Sequence, residues 1–373
     1  MVKALRKTNK NPPILSHEFI IQNHADIVSC VAMVFVVGLM VKATSPIASI
    51  FIALQHNVTF PETIDDVLLY EPGVKDWAGV FFYSLIVVVV HAIFQEYILD
   101  KISKKLHLSK SKLAIFNNSG QLLVFYLISV LWGIDTIMRE RYLPEISRLW
   151  SEYPAPITFL AKLYFIIQLA YSLHELPELY FQRVKREEYL GKAVSSIAAL
   201  VLVSIPYFLR FNRLLVCLLV LHHISELIFH VSQLIQTVDK EDKLTKASTL
   251  LATALRFVAR LGSIIISVFT LWYGLALSEQ KELNIQEGYY NVPMVRLSVL
   301  GGVLLLQLYL IFNLISDEIS RSKENKAYIP APKSKSKKEK TKKNKKTNDE
   351  SDLPEVDQNT NKTLRNKQKL NKL

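Results

Sequence analysis

The sequence predicts an all-α, multi-pass membrane helix bundle of about eight transmembrane helices, with a disordered basic C-terminal tail. Half of the 373 residues are hydrophobic and the mean hydropathy is +0.21. Apolar stretches recur at the length of about 20 residues that is needed to cross a bilayer. The net charge of +12 lies almost entirely after residue 320, where 17 basic residues face seven acidic ones. A soluble basic domain is therefore excluded.

Eight apolar stretches meet the length requirement for transmembrane spans. In chain order they are Ile27–Leu54, Trp77–Leu99, Gly120–Met138, Ile157–Phe181, Lys192–Leu209, Leu214–Ile235, Leu250–Leu277 and Val292–Ile315. The first begins too far from the N-terminus for a cleaved signal peptide, so we expect a permanent span. The predicted division is a cytosolic segment 1–26, two spans with a glycosylated lumenal loop in 27–110, a helix bundle in 111–320 and the tail 321–373.

The distribution of lysine and arginine among the loops predicts that both termini are cytosolic. With that orientation, 16 basic residues lie on the cytosolic side before the tail and nine on the other side, which agrees with the positive-inside rule. Sequons occur at Asn57, Asn117 and Asn361. Only Asn57 faces the lumen in this topology, so we expect Asn57 alone to carry glycan.

Ionisable side chains within the spans predict an intramembrane polar network, because such groups are costly in lipid and need partners. His222, Glu226 and His230 recur every four residues and therefore share one helix face. A metal held by this face is the alternative, but the spacing matches no zinc signature. We expect no metal, cofactor or catalytic residue, and we expect Glu226 to pair with an arginine. The candidate network comprises His174, Glu178, His222, Glu226, His230, Arg256 and Arg260.

The C-terminal tail has a composition that cannot bury enough apolar surface to fold. Nine lysines lie between residues 333 and 346. A solvated, flexible tail is one interpretation. The other is electrostatic contact with anionic lipid headgroups or with the ribosome at the cytosolic face, which would weaken steeply with salt.

Several segments carry a resemblance that extends from about residue 12 to the eighth predicted span. The most specific is Pro12–Ile20 followed by Gln22–Cys30; the others include His91-Ala92 with Gln95-Glu96-Tyr97, Phe116-Asn117 with Ser119–Leu122, and Gln168–Tyr171 with Pro177–Gln182. With these motifs the sequence resembles the translocating chain-associated membrane protein family, which belongs to the TLC-domain superfamily.

The resemblance implies an eight-span protein of the endoplasmic reticulum membrane that lies beside the Sec-type translocon. Such a protein would contact nascent secretory and membrane polypeptides and assist their translocation or insertion. The sequon at Asn57 falls where the family carries its lumenal glycan. A lipid held in the bundle without any chemistry is compatible with the same resemblance.

A sphingolipid acyltransferase is the alternative from another class, because ceramide synthases share the TLC domain. The position of the paired histidine that looks catalytic in those enzymes falls here on Ser195-Ser196, and serine cannot replace histidine as a general base near neutral pH. The second synthase motif is kept at His222 but changed at His223 and Glu226. A transporter is disfavoured because no inverted repeat is visible. We therefore expect a binding function rather than catalysis.

Overall fold

A computed structural model describes residues 13, 16–59, 67–182, 184–239, 243–277 and 282–327 of the chain. Two compact units divide the chain, Met1–Arg321 and Ser322–Leu373. The first unit contains the helix bundle. Within the second, residues 322–327 are helical. Of the predicted N-terminal segment 1–26, residues 1–12, 14 and 15 lie outside the described residues. Residues 328–373 of the predicted disordered tail lie outside them as well.

The described part of the chain is built from α-helices, with two strands of two residues each. The helices are α1 His17–Gln22, α2 His24–Met40, α3 Ser45–Ile52, α4 Asp76–Phe94, α5 Asp100–Leu106, α6 Lys110–Arg139, α7 Phe159–Phe181, α8 Arg186–Phe208, α9 Asn212–Val238, α10 Lys243–Ser267 and α11 Pro293–Ala327. The strands are β1 Leu69–Tyr70 and β2 Ile157–Thr158, which pair antiparallel.

Six helical segments of the described chain are long and apolar enough to cross a membrane. They are Asp76–Leu106, Lys110–Arg139, Arg186–Phe208, Asn212–Val238, Lys243–Leu277 and Pro293–Lys323. At 1.5 Å per residue, even the shortest of them exceeds the thickness of the hydrocarbon core. The predicted all-α, multi-pass membrane fold class is thereby confirmed at the level of six spans.

The predicted fourth span, which corresponds to α7, falls short of this criterion because polar side chains interrupt it. Lys162, Gln168 and His174 lie on α7 and are all buried. The helix packs between α4 and α8, and its apolar side chains form the centre of the main core. Since protein rather than lipid surrounds α7, its side chains need internal partners instead of uniform hydrophobicity. Pro177 lies inside α7 and does not end it.

The predicted first span is not one helix. It is divided by a turn at residues 41–44 into α2, of 17 residues, and α3, of eight. The Thr44 hydroxyl donates a hydrogen bond of 2.8 Å to the carbonyl of Gly38, and Pro46 lies in the first turn of α3. A proline in the first turn favours starting a new helix. The apolar stretch from Ile27 to Leu54, which we expected to form one permanent span, therefore comprises two helices.

Two long segments contain π-helical turns. Gln95–Leu99 joins α4 to α5, and Val268–Gly274 continues α10. A π-turn adds a residue to the helical repeat and so changes the direction of the side chains that follow. The first of these turns directs Gln95 towards α6, as its hydrogen bond to Gln121 shows.

The loops meet at two ends of the bundle. At the sheet end, which carries β1 and β2, Arg210 forms two hydrogen bonds to Glu71, of 3.0 and 2.7 Å. At the opposite end, the ring of His24 at the start of α2 stacks on Phe181 at the end of α7. Lys112 near the start of α6 contacts the carbonyl of Thr237 near the end of α9.

Candidate functional site

Glu226 of α9 lies between two arginines of α10. The Arg256 guanidinium is 2.5 Å from one oxygen of the Glu226 carboxylate, and Arg260 is 3.1 Å from the other. The arginines are four residues apart, so one face of α10 presents both to the single carboxylate. Helices α9 and α10 pack closely along their lengths. The structure thus places these three predicted network residues together.

His222 and His230 flank Glu226 on the same face of α9. Arg260 lies 3.0 Å from His222 Nδ1, and because arginine only donates, His222 accepts at Nδ1 and carries its proton on Nε2. His230 Nδ1 lies 3.3 Å from the Ser119 hydroxyl of α6. We call His222, Glu226, His230, Arg256 and Arg260 the arginine cluster.

His174 and Glu178, the two other predicted network residues, belong to a different cluster. His91 of α4 donates from Nε2 to the side-chain oxygen of Gln121, and Gln121 donates to Gln95 over 2.7 Å. The other ring nitrogen of His91 is 3.6 Å from Glu178, and the ring of His174 packs edge-on against that of His91. These residues, His91, Gln95, Gln121, His174 and Glu178, form the glutamine cluster. His91, Gln95 and Gln121 were not among the predicted network residues.

An aromatic layer lies between the two clusters. Phe125 of α6 stacks on Tyr171 of α7, and its neighbour Tyr126 stacks on His230 with ring centroids 5.6 Å apart. His223 packs against both α6 rings. Among the described residues, no hydrogen bond or ion pair joins the arginine cluster to the glutamine cluster. The predicted single network is therefore two separate ones.

A third set of charges, absent from our prediction, connects α7 to the loop before α4. Lys162 is fully buried and lies 2.8 Å from Asp76, while its ammonium also donates to the carbonyls of Gln55 and Glu71, each over 2.7 Å. Asp76 accepts further hydrogen bonds from the Tyr207 hydroxyl and the Gly73 amide. We call Asp76, Lys162 and Tyr207 the loop anchor. A lysine inside an apolar run was the sequence signal for it.

The loop that the anchor holds carries the first sequon. The Asn57 side chain is exposed, and its amide oxygen accepts a 2.8 Å hydrogen bond from the Thr59 amide. Beside it, burial lowers the pKa of His56, and the nearby Lys162 and Lys75 lower it further, although Asp76 and Glu71 act in the opposite direction. The second sequon, at Asn117, lies within α6, and the third lies outside the described residues.

Comparison with known proteins places the chain in a family. The family model of the TLC domain matches residues 115–316. Over 323 residues the chain is 38% identical to translocating chain-associated membrane protein 2 of Homo sapiens, covering 86% of each chain. The Mus musculus protein of the same name matches to the same extent. The chain belongs to the translocating chain-associated membrane protein family.

The name of a more distant relative refers to the alternative class that the sequence left open. The chain is 22% identical over 168 residues to a sphingosine N-acyltransferase-like protein of Alternaria alternata, which covers 39% of that protein. In this chain Ser196 is buried on α8, and its hydroxyl donates to the Lys192 carbonyl one turn earlier. Within the described ranges, no three histidine, cysteine, aspartate or glutamate side chains are grouped as a metal site.

Proposed function

We propose that this chain is a protein of the endoplasmic reticulum membrane that contacts nascent secretory and membrane polypeptides at the Sec-type translocon and assists their translocation or insertion. The observation that carries the proposal is the 38% identity over 86% of both chains to a relative whose name states an association with translocating chains. Family membership thus rests on nearly the whole bundle and not on one motif.

The buried clusters supply a physical mechanism for contact with such polypeptides. A polar group that finds no partner in lipid costs several kcal/mol, so a weakly hydrophobic segment inserts poorly on its own. The Arg256 side chain is 21% exposed, and those of His91 and Glu178 are about 15% exposed. These groups give a passing segment hydrogen-bond partners within the bundle, which lowers the cost of its polar side chains.

Eight membrane crossings with both termini in the cytosol complete the proposal. Helix α7 begins at the sheet end, beside β2, and reaches the opposite end at Phe181, and α2 with α3 likewise leads from the opposite end to the loop held by the anchor. We count eight crossings by adding two to the six long apolar segments: α2 together with α3, which are short, and α7, which carries polar side chains. The loops at the end opposite the sheet hold more basic residues, which supports a lumenal position for the sheet end.

Glycosylation at Asn57 tests this topology. Treatment of the microsomal protein with an endoglycosidase is expected to increase its gel mobility, and Asn57→Gln is expected to abolish the change. Asn117→Gln is the matched control, because Asn117 lies inside α6 and should not affect the shift. A mobility change that survives Asn57→Gln would contradict both the glycan site and the orientation.

Binding without catalysis is the second part of the proposal. Two serines at the position of the synthase histidine pair support it, since Ser196 already donates its hydroxyl proton to a backbone carbonyl. The purified protein is expected to transfer no acyl group from acyl-coenzyme A to sphinganine. Turnover above that of a vesicle blank would favour the acyltransferase alternative, which the similarity to the Alternaria alternata protein supports.

The basic tail is proposed as a contact for the ribosome or for anionic headgroups. Its nine lysines between residues 333 and 346 support this on charge alone. Deleting residues 328–373 should weaken the salt-sensitive cofractionation of the protein with ribosomes or with phosphatidylserine vesicles. A loss with ribosomes alone indicates the ribosome contact, and a loss with vesicles alone indicates the headgroup contact.

Photocrosslinking from a stalled nascent chain in microsomes tests the contact itself. A photoreactive residue in a weakly hydrophobic signal segment should form an adduct with this chain. The double variant Glu226→Ala/Arg260→Ala should reduce the adduct several-fold, whereas Asp135→Ala/Arg139→Ala, which removes an exposed ion pair of α6, should not. Unchanged adducts in a stable Glu226→Ala/Arg260→Ala variant would leave the arginine cluster with a purely structural role.

A further inference from the structure

An open pocket lies between α9, α10 and α11, beside the arginine cluster. Polar side chains provide much of its wall. The hydroxyls of Ser232, Thr249 and Thr253 line it, together with Gln233, Arg256, Asp317, Glu318 and Arg321. The pocket lies near the ends of its helices, at the end of the bundle opposite the sheet. This is the depth at which a lipid headgroup meets the ends of membrane spans.

One wall of the pocket has an unused hydrogen-bond donor. The Nε atom of Arg256 is buried and has no partner, although the terminal nitrogen of the same guanidinium binds Glu226. Nε and Nη2 share one edge of the planar guanidinium, so the Nε–H bond points to the side on which Glu226 lies, whereas Nη1 makes no hydrogen bond among the described residues. The Arg256 side chain is 21% exposed, so an acceptor oxygen supplied from outside the chain can bind the donors of Nη1.

The residues that line the pocket carry both signs of charge in equal number. Asp317 is exposed, and Glu318 and Arg321 are partly exposed and 3.2 Å apart. Glu318 also accepts a 2.9 Å hydrogen bond from Thr253, which fixes its carboxylate to the α10 wall. With Arg256 the pocket therefore has two cations and two carboxylates. An anionic ligand would place its excess negative charge beside two carboxylates, whereas a ligand with one charge of each sign fits both.

Exposed apolar side chains lie on α10 and α11 close in sequence to the residues that line the pocket. Phe312 and Ile315 of α11 are 68% and 48% exposed, and Leu250 and Phe257 of α10 are exposed as well. These side chains adjoin a polar pocket at the end of a membrane span. A ligand that bears a small charged group on a long hydrocarbon chain matches this combination, and a free ion or a soluble metabolite does not use the apolar part.

From these observations we propose that the pocket between α9, α10 and α11 binds the headgroup of a zwitterionic glycerophospholipid. The phosphodiester lies against Arg256 Nη1 and Arg321, the ammonium group lies against Asp317, and the acyl chains follow the exposed apolar side chains of α10 and α11. The inference requires only that the bundle is embedded in a membrane, so it stands apart from the proposed role at the translocon.

Native mass spectrometry of the full-length protein in detergent tests this site. Palmitoyl-oleoyl-phosphatidylethanolamine is expected to stay bound, and phosphatidylglycerol with the same acyl chains is expected to bind about tenfold more weakly, as does a ceramide, which lacks both charges. Free phosphoethanolamine separates a lipid from a soluble phosphoester, and it should not compete at equal concentration. Equal retention of the two phospholipids, preferential retention of ceramide, or competition by phosphoethanolamine would overturn the proposal.

Variants at the mouth locate the binding. Arg321→Gln and Asp317→Asn each remove one of the complementary charges and should lower phosphatidylethanolamine binding by about tenfold. Both side chains are at least partly exposed, so melting temperatures should remain those of the wild type. Asp135→Asn, an acid-to-amide change on exposed α6, is the matched control and should bind normally. Wild-type binding by both mouth variants would show that the lipid lies elsewhere.

Discussion

The loop anchor and the arginine cluster are both buried sets of charges, but they differ in balance. In the anchor one lysine meets one aspartate, and the carbonyls of Gln55 and Glu71 and the hydroxyl of Tyr207 satisfy the remaining hydrogen-bonding capacity. In the cluster two arginines share one glutamate, and Arg256 keeps a donor without a partner. The anchor is therefore complete within the chain, whereas the cluster has capacity left for a ligand or a passing polypeptide.

Lys162→Met is expected to have the largest effect, because it leaves Asp76 as an unpaired charge in a fully buried position. Breaking a buried ion pair from one side costs about 3–5 kcal/mol. We expect a clear fall in the melting temperature of the detergent-purified protein and faster proteolysis of the loop between α3 and α4. Differential scanning fluorimetry and limited proteolysis measure the two.

The double variant Lys162→Met/Asp76→Asn is the control for this experiment. It removes both charges, so it should recover part of the stability that the single variant loses. A single variant that melts at the wild-type temperature would show that the pair is dispensable, and the contrast with the arginine cluster would disappear.

Glu226→Gln is expected to have the next largest effect. It leaves Arg256 and Arg260 beside each other without a carboxylate, although the amide oxygen still accepts one hydrogen bond. We expect a loss of about 2 kcal/mol, below that of the anchor because Arg256 is partly exposed and water reaches it. Arg260→Gln added to Glu226→Gln should restore part of this loss in unfolding measurements, and complete additivity would argue against the pairing.

Arg256→Gln tests the two-to-one balance directly. The change leaves Glu226 paired with Arg260 alone, one charge of each sign as in the anchor. We therefore expect the free energy of unfolding to fall by less than about 1 kcal/mol. Arg260→Gln should cost more, because Arg260 is more deeply buried and also donates to His222. Equal losses for the two arginines would mean that they contribute alike and that neither is surplus.

The same contrast explains which parts of the molecule the sequence could predict. The four-residue spacing of His222, Glu226 and His230, and of Arg256 and Arg260, follows from helical periodicity, so their contact required only that α9 and α10 be neighbours. Lys162 instead pairs with a residue 86 positions earlier and with loop carbonyls, and no periodicity reports such a contact. The separation of His174 and Glu178 from the arginine cluster likewise depends on where Phe125 and Tyr126 of α6 are packed.

His56 gives the smallest expected effect and sharpens the description of the anchor, since it lies in the loop that the anchor holds, near Asp76 and Lys162. Its lowered pKa means that the unfolded chain binds a proton more readily than the folded one. Stability should therefore be fully present above the ordinary histidine pKa of about 6.5 and fall as the pH drops below it. Between pH 7.5 and 5.5 the melting temperature of the wild type should fall further than that of His56→Gln, by a difference of less than about 2 °C.

His107→Gln, at the opposite end of the bundle, serves as the matched control, and its melting temperature should change with pH as that of the wild type does. Because Lys162 helps to lower the pKa of His56, Lys162→Met should also reduce the slope, which links this small titration to the anchor rather than to the loop alone.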